Sequence, residues 1–229
     1  MVESGTETPP GRAGGFPWRL LAVTAPIVAV VLMLLPNIGP VFRVFSLPSG
    51  SMAPGLAAGS VVIASRASYG YSRYSFDGFN LPIAGRWPAG RPKRGDVIVF
   101  RLTRNRRVHY IKRVIGLPGD RIAHRNGRVE LNGKPLEVTP ANIRLPRASR
   151  GTRAGQPFME KLADGVSYPV LLSPGGGRFD TVPEIVVPVG HVYVLGDNRG
   201  NSTDSRMRGM VGFVPLDHVV GKVLTSWRP

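Results

Sequence analysis

Apolar residues form one long uninterrupted run near the start of the chain. Between Arg19 and Arg43, 23 residues carry no charge. At a rise of about 1.5 Å per residue, a helix of that length covers roughly 34 Å, enough for a bilayer core of about 30 Å. The pattern predicts a transmembrane anchor over 18–42, with its most apolar part at 20–35. A cleaved leader is the alternative, but no small-residue cleavage site follows the run.

The rest of the chain alternates short apolar stretches with turn residues, a pattern typical of a mainly β protein. Two Asn-Gly steps flanking RVEL predict tight hairpin turns. We predict a short helix at FMEKLAD (158–164) and a long surface excursion, rich in Gly, Pro and aromatic residues, over 68–95. Strands are predicted at 41–47, 59–65, 96–102, 108–117, 191–198 and 211–227.

Composition narrows the possible chemistry and partners. The absence of cysteine excludes disulfides, thiol nucleophiles and Cys-based zinc sites. The four His residues have no metal-binding spacing, so we expect neither a metal nor another cofactor. A net charge of +16 indicates an anionic partner, either nucleic acid or acidic lipid headgroups. Because the charge follows an anchor, we favour anionic membrane lipids and expect no nucleic acid.

Hydroxyls are then the remaining nucleophiles. The GxSxG elbow of Ser–His–Asp hydrolases is absent, which disfavours a triad. A Ser–Lys dyad needs a lysine whose pKa falls well below about 10.4, and burial among apolar groups has that effect. Lys112 lies in the apolar strand YIKRVIGL, so one strand face could bury it. The alternative is that Lys112 points to solvent from an alternating strand.

A polar stretch, GDNRGNSTDSR (196–206), follows a predicted strand. Asp204 and Arg206 are two residues apart, so in extended backbone they face the same side and can form an ion pair. Such a pair would hold the loop in one shape. The alternative is a solvated turn rich in Asp, Asn and Ser.

Five stretches, taken in order, resemble the motifs of bacterial type I signal peptidases, which are membrane-anchored serine proteases with a Ser–Lys dyad. The resemblance implies a mainly β catalytic core of coiled antiparallel sheets, preceded by one transmembrane helix. It also implies a cytoplasmic tail at 1–17, a catalytic domain at 43–229 and a β insertion at about 123–188. The stretches are PSGSMAPGL (48–56), RGDVIVF (94–100), YIKRVIGLPGDRI (110–122), GDNRGNSTDSR (196–206) and GFVPLDHVVGK (212–222).

The resemblance also assigns roles to individual residues. Ser51 resembles the nucleophile and Lys112 the general base, while the Ser49 hydroxyl and the Ser51 N–H resemble the oxyanion hole. Ser202 resembles the residue that orients the lysine. Asp204 and Arg206 resemble an ion pair that supports the site, together with Asp197 and Arg113. The positions that match substrate pockets are Phe45, Leu47 and Ile111.

A protein of this kind would remove signal peptides from exported preproteins by cutting after small residues, usually Ala at −1 and −3. It would be a single-pass monomer of the bacterial inner membrane with its catalytic domain on the periplasmic side. One alternative is a narrow-specificity, conjugation-type processing peptidase with the same chemistry. The other is a basic, membrane-anchored binding protein without enzyme activity.

Four positions depart from the pattern that the resemblance implies. Gly55 stands where Thr is usual, Ser60 where Asp is usual, His109 where Asp is common, and Gly200 where an acidic residue is common. In addition, RMRGMV lengthens the link between DSR and GFVP. None of these departures removes a group that the dyad chemistry needs.

Overall fold

A computed structural model describes residues 18–34, 41–76, 80–143, 145, 155–173 and 179–228. The one α-helix in these ranges, α1, spans Trp18–Leu34 and contains Pro26. It is 17 residues long, shorter than the charge-free run, and the first strand begins at Phe42. Within the described residues, no helix is both long and apolar enough to cross a membrane.

The described chain is otherwise mainly β, as the sequence pattern predicts. Short 3-10 turns lie at Ala67–Tyr69, Arg199–Asn201 and Leu216–His218. The strands are β1 (Phe42–Ser46), β2 (Val61–Ser65), β3 (Tyr71–Ser72), β4 (Arg86–Trp87), β5 (Val97–Arg101), β6 (His109–Gly116), β7 (Arg121–Arg125), β8 (Arg128–Leu131), β9 (Lys134–Pro135), β10 (Glu137–Pro140), β11 (Gln156–Lys161), β12 (Ser167–Leu172), β13 (Val182–Val186), β14 (His191–Leu195), β15 (Val214–Pro215) and β16 (Val219–Trp227).

The largest sheet is antiparallel and has the strand order β1-β2-β16-β5-β6-β14-β15. In a flat sheet β1 and β6 would lie about 19 Å apart, since neighbouring strands are about 4.8 Å apart. Instead, the rings of Phe45 on β1 and His109 on β6 have centroids 5.2 Å apart. The sheet must therefore curl. Two register irregularities in β16 supply bends of the kind that β-bulges produce.

Glycine allows one of the close approaches in this curl. A Cβ built on Gly221 of β16 would lie 2.4 Å from the carbonyl oxygen of Ser65 on β2. Any larger residue would force the two strands apart. Inside the curl, apolar residues of five segments form one cluster: Leu47, Met52, Val62, Ala64, Val99, Ile111 and Val220.

Two smaller sheets lie in the stretch from β7 to β13, which we call the insertion (121–186). One has the order β13-β7-β8-β9 and the other β10-β11-β12. The predicted Asn-Gly turns are confirmed: Asn126 and Asn132 have φ of 51° and 53°, and the glycines after them also have positive φ. The insertion shares a hydrophobic core with the main sheet, in which Ile115 and Leu195 pack with Leu131 and Val170.

Two sequence expectations are wrong. The predicted helix at 158–164 is largely β11, because Gln156–Lys161 pairs along its length with Ser167–Leu172. The stretch 68–95 is not simply a surface excursion, since Tyr69 and Tyr74 are buried. Arg86 fastens this stretch to the main sheet by donating to the carbonyl oxygens of Tyr69, Gly70, Leu216 and Val219 at 2.5–2.9 Å.

Candidate active site

Ser51 lies in a tight turn between β1 and β2, and the structure buries it. Backbone hydrogen bonds close the base of this turn: Leu47 donates to Ser60 at 2.8 Å, and Gly59 donates to Leu47 at 2.7 Å. Asn198 secures the turn from the other side, because its N–H donates to the Ser51 carbonyl at 3.1 Å. The Ser51 backbone is thus fixed by two parts of the chain that are distant in sequence.

Lys112 lies in the middle of β6 and its side chain points inward, with 4% exposure. The alternative that it faces solvent is therefore wrong. Its Nζ is 2.8 Å from Ser51 Oγ and 2.9 Å from the Ile111 carbonyl oxygen. Burial lowers the pKa of Lys112 to about 8, although the charges of Asp204 and Asp197 oppose the shift. A lysine with this pKa is partly neutral near pH 8, so it can accept a proton from a hydroxyl.

Ser49 stands at the exposed edge of the same turn. Its hydroxyl donates to Ser51 Oγ at 3.3 Å. A side chain at this place, two residues before Ser51, can approach an oxygen that develops on a carbonyl bound to Ser51 Oγ.

The polar loop, residues 196–206, lies against Ser51 and Lys112. Asp204 and Arg206 form a buried ion pair with Nε–Oδ1 and Nη2–Oδ2 distances of 2.9 Å. Burial raises the pKa of Asp204, but hydrogen bonds and charge from Arg206 outweigh it and leave this pKa below its ordinary value. The Gly196 N–H also donates to Asp204, at 3.1 Å. The loop thus keeps a carboxylate charge buried near Lys112.

Ser202 is buried in this loop. Among the described residues its hydroxyl forms no well-aligned hydrogen bond, so the orienting contact with Lys112 that the resemblance implies is not formed. The hydroxyl contributes to the lowered pKa of Asp204. A Cβ on Gly196 would lie 2.2 Å from Ser202 Oγ and 2.6 Å from the Ser51 carbonyl oxygen. Gly196 therefore lets Ser202 and Ser51 approach each other.

Asp197 and Arg113 form a second buried ion pair beside the site. The Arg113 guanidinium donates to both Asp197 oxygens, at 2.8 and 2.7 Å. A Cβ on Gly55 would lie 3.3 Å from Asp197 Oδ2, so this position packs directly against the pair. A side chain at position 55 would therefore contact the Asp197 carboxylate.

A cleft of about 410 Å³ opens beside Ser51 Oγ. The three predicted pocket residues, Phe45, Leu47 and Ile111, line it together with Ser49 and Lys112. One wall comes from β1 and the segment after it, and the opposite wall comes from the start of β6. The sequence assigned no role in the cleft to its other lining residues, which are Ser46, Pro48, Met52, Val108, His109, Tyr110, Asn201 and Thr203.

Two of the remaining departures have a structural setting. Gly200 lies against Ser173, whose Oγ would be 1.9 Å from a Cβ at position 200. An acidic side chain there would displace Ser173. His109 packs its ring against Phe45 at the cleft wall. The structure gives no reason for serine rather than aspartate at the buried position 60.

Three other buried polar residues near the site were not identified from the sequence. Glu160 and Tyr168 come from the insertion and Arg199 from the polar loop. Glu160 lies within the stretch predicted to be helical, so its local pattern concealed it. Within the described ranges, no group of three or more His, Asp or Glu side chains could hold a metal ion.

Comparison with known proteins identifies the family. The model of the family described as "Signal peptidase, peptidase S26" matches residues 18–227. Signal peptidase I of Rickettsia typhi is 34% identical over 214 residues, which cover 87% of this chain and 75% of that protein. Signal peptidase I of Rickettsia canadensis is 32% identical over 230 residues, which cover 97% of this chain and 83% of that protein.

A crystal structure of a signal peptidase I from Enterococcus faecalis V583 is also similar, with 29% identity and a TM-score of 0.35. The match covers 59% of this chain and 97% of that one. The family match over nearly the whole chain, together with the two Rickettsia relatives, supports removal of signal peptides. The chain belongs to the signal peptidase family, peptidase family S26, and is a serine endopeptidase of the signal peptidase I type.

Proposed function

We propose that this protein removes signal peptides from exported preproteins by a Ser51–Lys112 dyad through an acyl-enzyme. The observation that carries the proposal is the 2.8 Å distance between Lys112 Nζ and Ser51 Oγ, with the lysine buried. Hydroxyl nucleophiles are weak until an adjacent base accepts their proton. A buried lysine is such a base, because burial favours its neutral form.

In the proposed first half-reaction, neutral Lys112 takes the proton of Ser51 as Oγ attacks the scissile carbonyl carbon. The carbonyl oxygen becomes an oxyanion, which the Ser51 N–H and the Ser49 hydroxyl stabilise. The Lys112 ammonium then gives its proton to the leaving amine, and the peptide bond breaks. The signal peptide remains joined to Ser51 as an ester, and the mature protein departs.

In the second half-reaction, Lys112 is neutral again and takes a proton from water. The hydroxide attacks the ester carbonyl, and a second oxyanion forms in the same place. Its collapse breaks the ester C–O bond, the Lys112 ammonium returns its proton to Ser51 Oγ, and the released signal peptide carboxyl loses its own proton to solvent. One lysine thus serves both halves, because it starts and ends each half neutral.

A preference for small residues before the cut is part of this proposal. The cleft of about 410 Å³ beside Ser51 is lined by residues of β1, of the segment after it and of the start of β6. An extended substrate segment would add as a strand between the two walls, with alternate side chains entering the apolar pockets. Phe45, Leu47 and Ile111 would contact the residues at −1 and −3, where Ala fits.

We also propose that segment 18–42, which is free of charge from residue 20 onward, anchors the protein in the bacterial inner membrane, with residues 43–229 on the periplasmic side as a monomer. Signal peptides are themselves held in the membrane, so a nucleophile 9 residues beyond that segment would lie close to their cleavage sites. The excess positive charge would hold the catalytic domain against anionic lipid headgroups.

The test uses the full chain in detergent micelles and a preprotein with Ala at −1 and −3. N-terminal sequencing of the product should give a single cut directly after the −1 residue. Changing that Ala to Phe should abolish the cut, because the proposal requires a small residue at −1. No cut in the Ala substrate, or a cut that ignores the −1 residue, would contradict the proposed function.

The narrow-specificity alternative predicts that almost no member of a panel of ordinary signal peptides is cut, whereas the proposal predicts that most are. The binding-protein alternative rests on the +16 charge and on an exposed aromatic–arginine surface at 68–95. Burial of Tyr69 and Tyr74 removes two of the aromatic rings from that surface. We therefore favour the enzymatic function.

A further inference from the structure

A buried acid of the insertion contacts the polar loop. Glu160 on β11 has 0% exposure, and Arg199 in the loop has 5%. Arg199 Nη1 donates to Glu160 Oε1 at 2.9 Å, and Arg199 Nη2 donates to Glu160 Oε2. The hydroxyl of Tyr168 on β12 donates to the same Oε2 at 2.5 Å. Two strands of the insertion therefore hold one side chain of the loop by charge-assisted hydrogen bonds.

Arg199 in turn organises the loop from inside. Its Nε donates to the Gly196 carbonyl at 3.2 Å, and its own carbonyl accepts from Arg206 Nη2 at 2.7 Å. Arg206 pairs with Asp204, whose charge acts on Lys112. A continuous chain of contacts thus runs from Glu160 to the surroundings of the dyad.

A second set of contacts joins the insertion to Asp197. The Leu171 N–H of β12 donates to the Asp197 carbonyl at 2.8 Å. The Arg113 guanidinium, which pairs with Asp197, lies over the Tyr168 ring at 4.1 Å from its centroid. The β11–β12 hairpin therefore holds both acids that act on Lys112: it holds Asp197 directly, and it holds Asp204 through Arg199 and Arg206.

We infer that Glu160 is a positioning residue: from the insertion, and through Arg199, it fixes the polar loop at the place that the Ser51–Lys112 reaction requires. The inference rests on the proposed function of Ser51 and Lys112. Removing one partner of a buried ion pair leaves the other charge uncompensated, so the loop must move to hydrate Arg199. An exposed ion pair has no such consequence.

The neighbouring residue provides a matched control. Lys161 is the next residue of β11, and its exposed side chain pairs with Glu137 at 3.4 Å. We would compare Glu160→Gln and Lys161→Gln in the full chain. The measurement is kcat between pH 6 and 10.5 on a fluorogenic peptide with Ala at −1 and −3, with near-UV circular dichroism to establish the folded fraction.

Glu160→Gln should lower kcat per folded molecule on the order of 100-fold, the effect of misplacing reacting groups by about 1 Å. The pH midpoint of kcat should also rise above its wild-type value, because a displaced loop lets water reach Lys112. Lys161→Gln should leave both quantities at their wild-type values. A merely stabilising role for Glu160 would reduce the folded fraction without moving the midpoint.

An unmoved midpoint in folded Glu160→Gln overturns the inference. If that variant does not fold, Tyr168→Phe decides, because it removes only the hydroxyl that donates to Glu160. We expect a several-fold lower kcat and a midpoint shifted in the same direction, and an unchanged pH profile overturns the inference. Failure of the proposed function is distinguishable, since the wild-type protein would then not cleave the peptide.

Discussion

Burial of a single lysine side chain creates the chemistry that we propose. Lys112 faces inward from β6, opposite Ile98 on β5. Among the residues that the structure describes, the hydrogen-bond partners of its Nζ are Ser51 Oγ and the Ile111 carbonyl. Desolvation lowers its pKa from 10.5 to about 8. At neutral pH this burial costs the folded state about 3 kcal/mol. A reactive base is obtained at the expense of stability.

The rate of cleavage should therefore follow the titration of Lys112. The base is neutral above its pKa, so kcat should rise with pH, reach half its maximum near pH 8 and level off above it. The measurement is kcat between pH 6 and 10.5 on a peptide without titratable side chains. A rate that is independent of pH, or that rises only above pH 10, would exclude Lys112 as the base.

Lys112→Met should abolish cleavage and make the protein more stable at neutral pH. Between pH 8 and 10.5 the unfolded wild-type chain binds more protons than the folded one, so wild-type stability rises with pH across this window. We expect the Met variant to be about 2 kcal/mol more stable at pH 7, and this advantage to shrink towards pH 10.5.

Urea denaturation of both proteins at pH 7 and 10.5 measures this difference. Lys161→Met is the control, because Lys161 is exposed and its replacement should give no pH-dependent advantage. A Lys112→Met variant that is less stable than wild type at both pH values would contradict the account.

At the scale of elements, the polar loop depends on close backbone contact with Ser51. A Cβ on Gly196 would overlap Ser202 Oγ and approach the Ser51 carbonyl to 2.6 Å. The Ser51 carbonyl is part of the backbone and cannot rotate away from a new methyl group as the end of a side chain could. Gly196→Ala should therefore displace Ser51 and lower kcat on the order of 100-fold. Gly209→Ala is the matched control, since nothing lies within 4 Å of a Cβ there.

Peptide cleavage assays at pH 9 measure both variants, and thermal unfolding confirms that each is folded. Wild-type kcat in a folded Gly196→Ala variant would mean that the loop does not fix Ser51.

Local sequence signals predicted the hairpins but not every element. The Asn-Gly turns between β7, β8 and β9 depend on residues that favour positive φ, which is a local property. The stretch 158–164 has no such signal. This stretch forms a strand because it pairs with β12 and buries the charge of Glu160. A few neighbouring residues of sequence predict neither contact.

At the candidate site, too, the contacts join residues that are distant in sequence, and local patterns do not reveal them. Ser51 and Lys112 are 61 residues apart. From the sequence, only the resemblance to family motifs predicts that they form a pair. Glu160 lies in none of these motifs, and Arg199 lies within GDNRGNSTDSR without an assigned role, so their pairing across 39 residues was missed. Their pairing depends on how the insertion folds back on the main sheet, which no spacing in the sequence specifies.

At the scale of the whole molecule, the curl of the main sheet and the distribution of charge act together. The curl brings the β1 and β6 walls of the cleft face to face. The turn that leads into β6 carries the exposed residues Arg104 and Arg107, close to the cleft residues Val108 and His109. A surface of anionic lipid would meet these arginines at the mouth of the cleft.

We expect Arg104→Gln/Arg107→Gln to weaken the effect of anionic lipid on cleavage. Each basic residue near such a surface contributes about 1 kcal/mol, so the loss of two should lower the rate gain from adding anionic lipid roughly 30-fold. The full chain and a preprotein are reconstituted in vesicles with and without anionic lipid. Cleavage of a soluble peptide in detergent should be unchanged.

Arg128→Gln, at an exposed hairpin of the insertion, is the control and should keep the full lipid effect. An equal loss in both variants would mean that total charge, and not the turn before β6, is responsible.

We propose that Ser51 and Lys112 act together to remove signal peptides. The most direct measurement is the initial rate of preprotein cleavage at pH 9 by wild type, Ser51→Ala and Lys112→Ala, each verified as folded. We predict that both variants lose activity by a factor on the order of 10⁴ or more, because neither half of the dyad works without the other. Cleavage at a near wild-type rate by either folded variant would contradict the account.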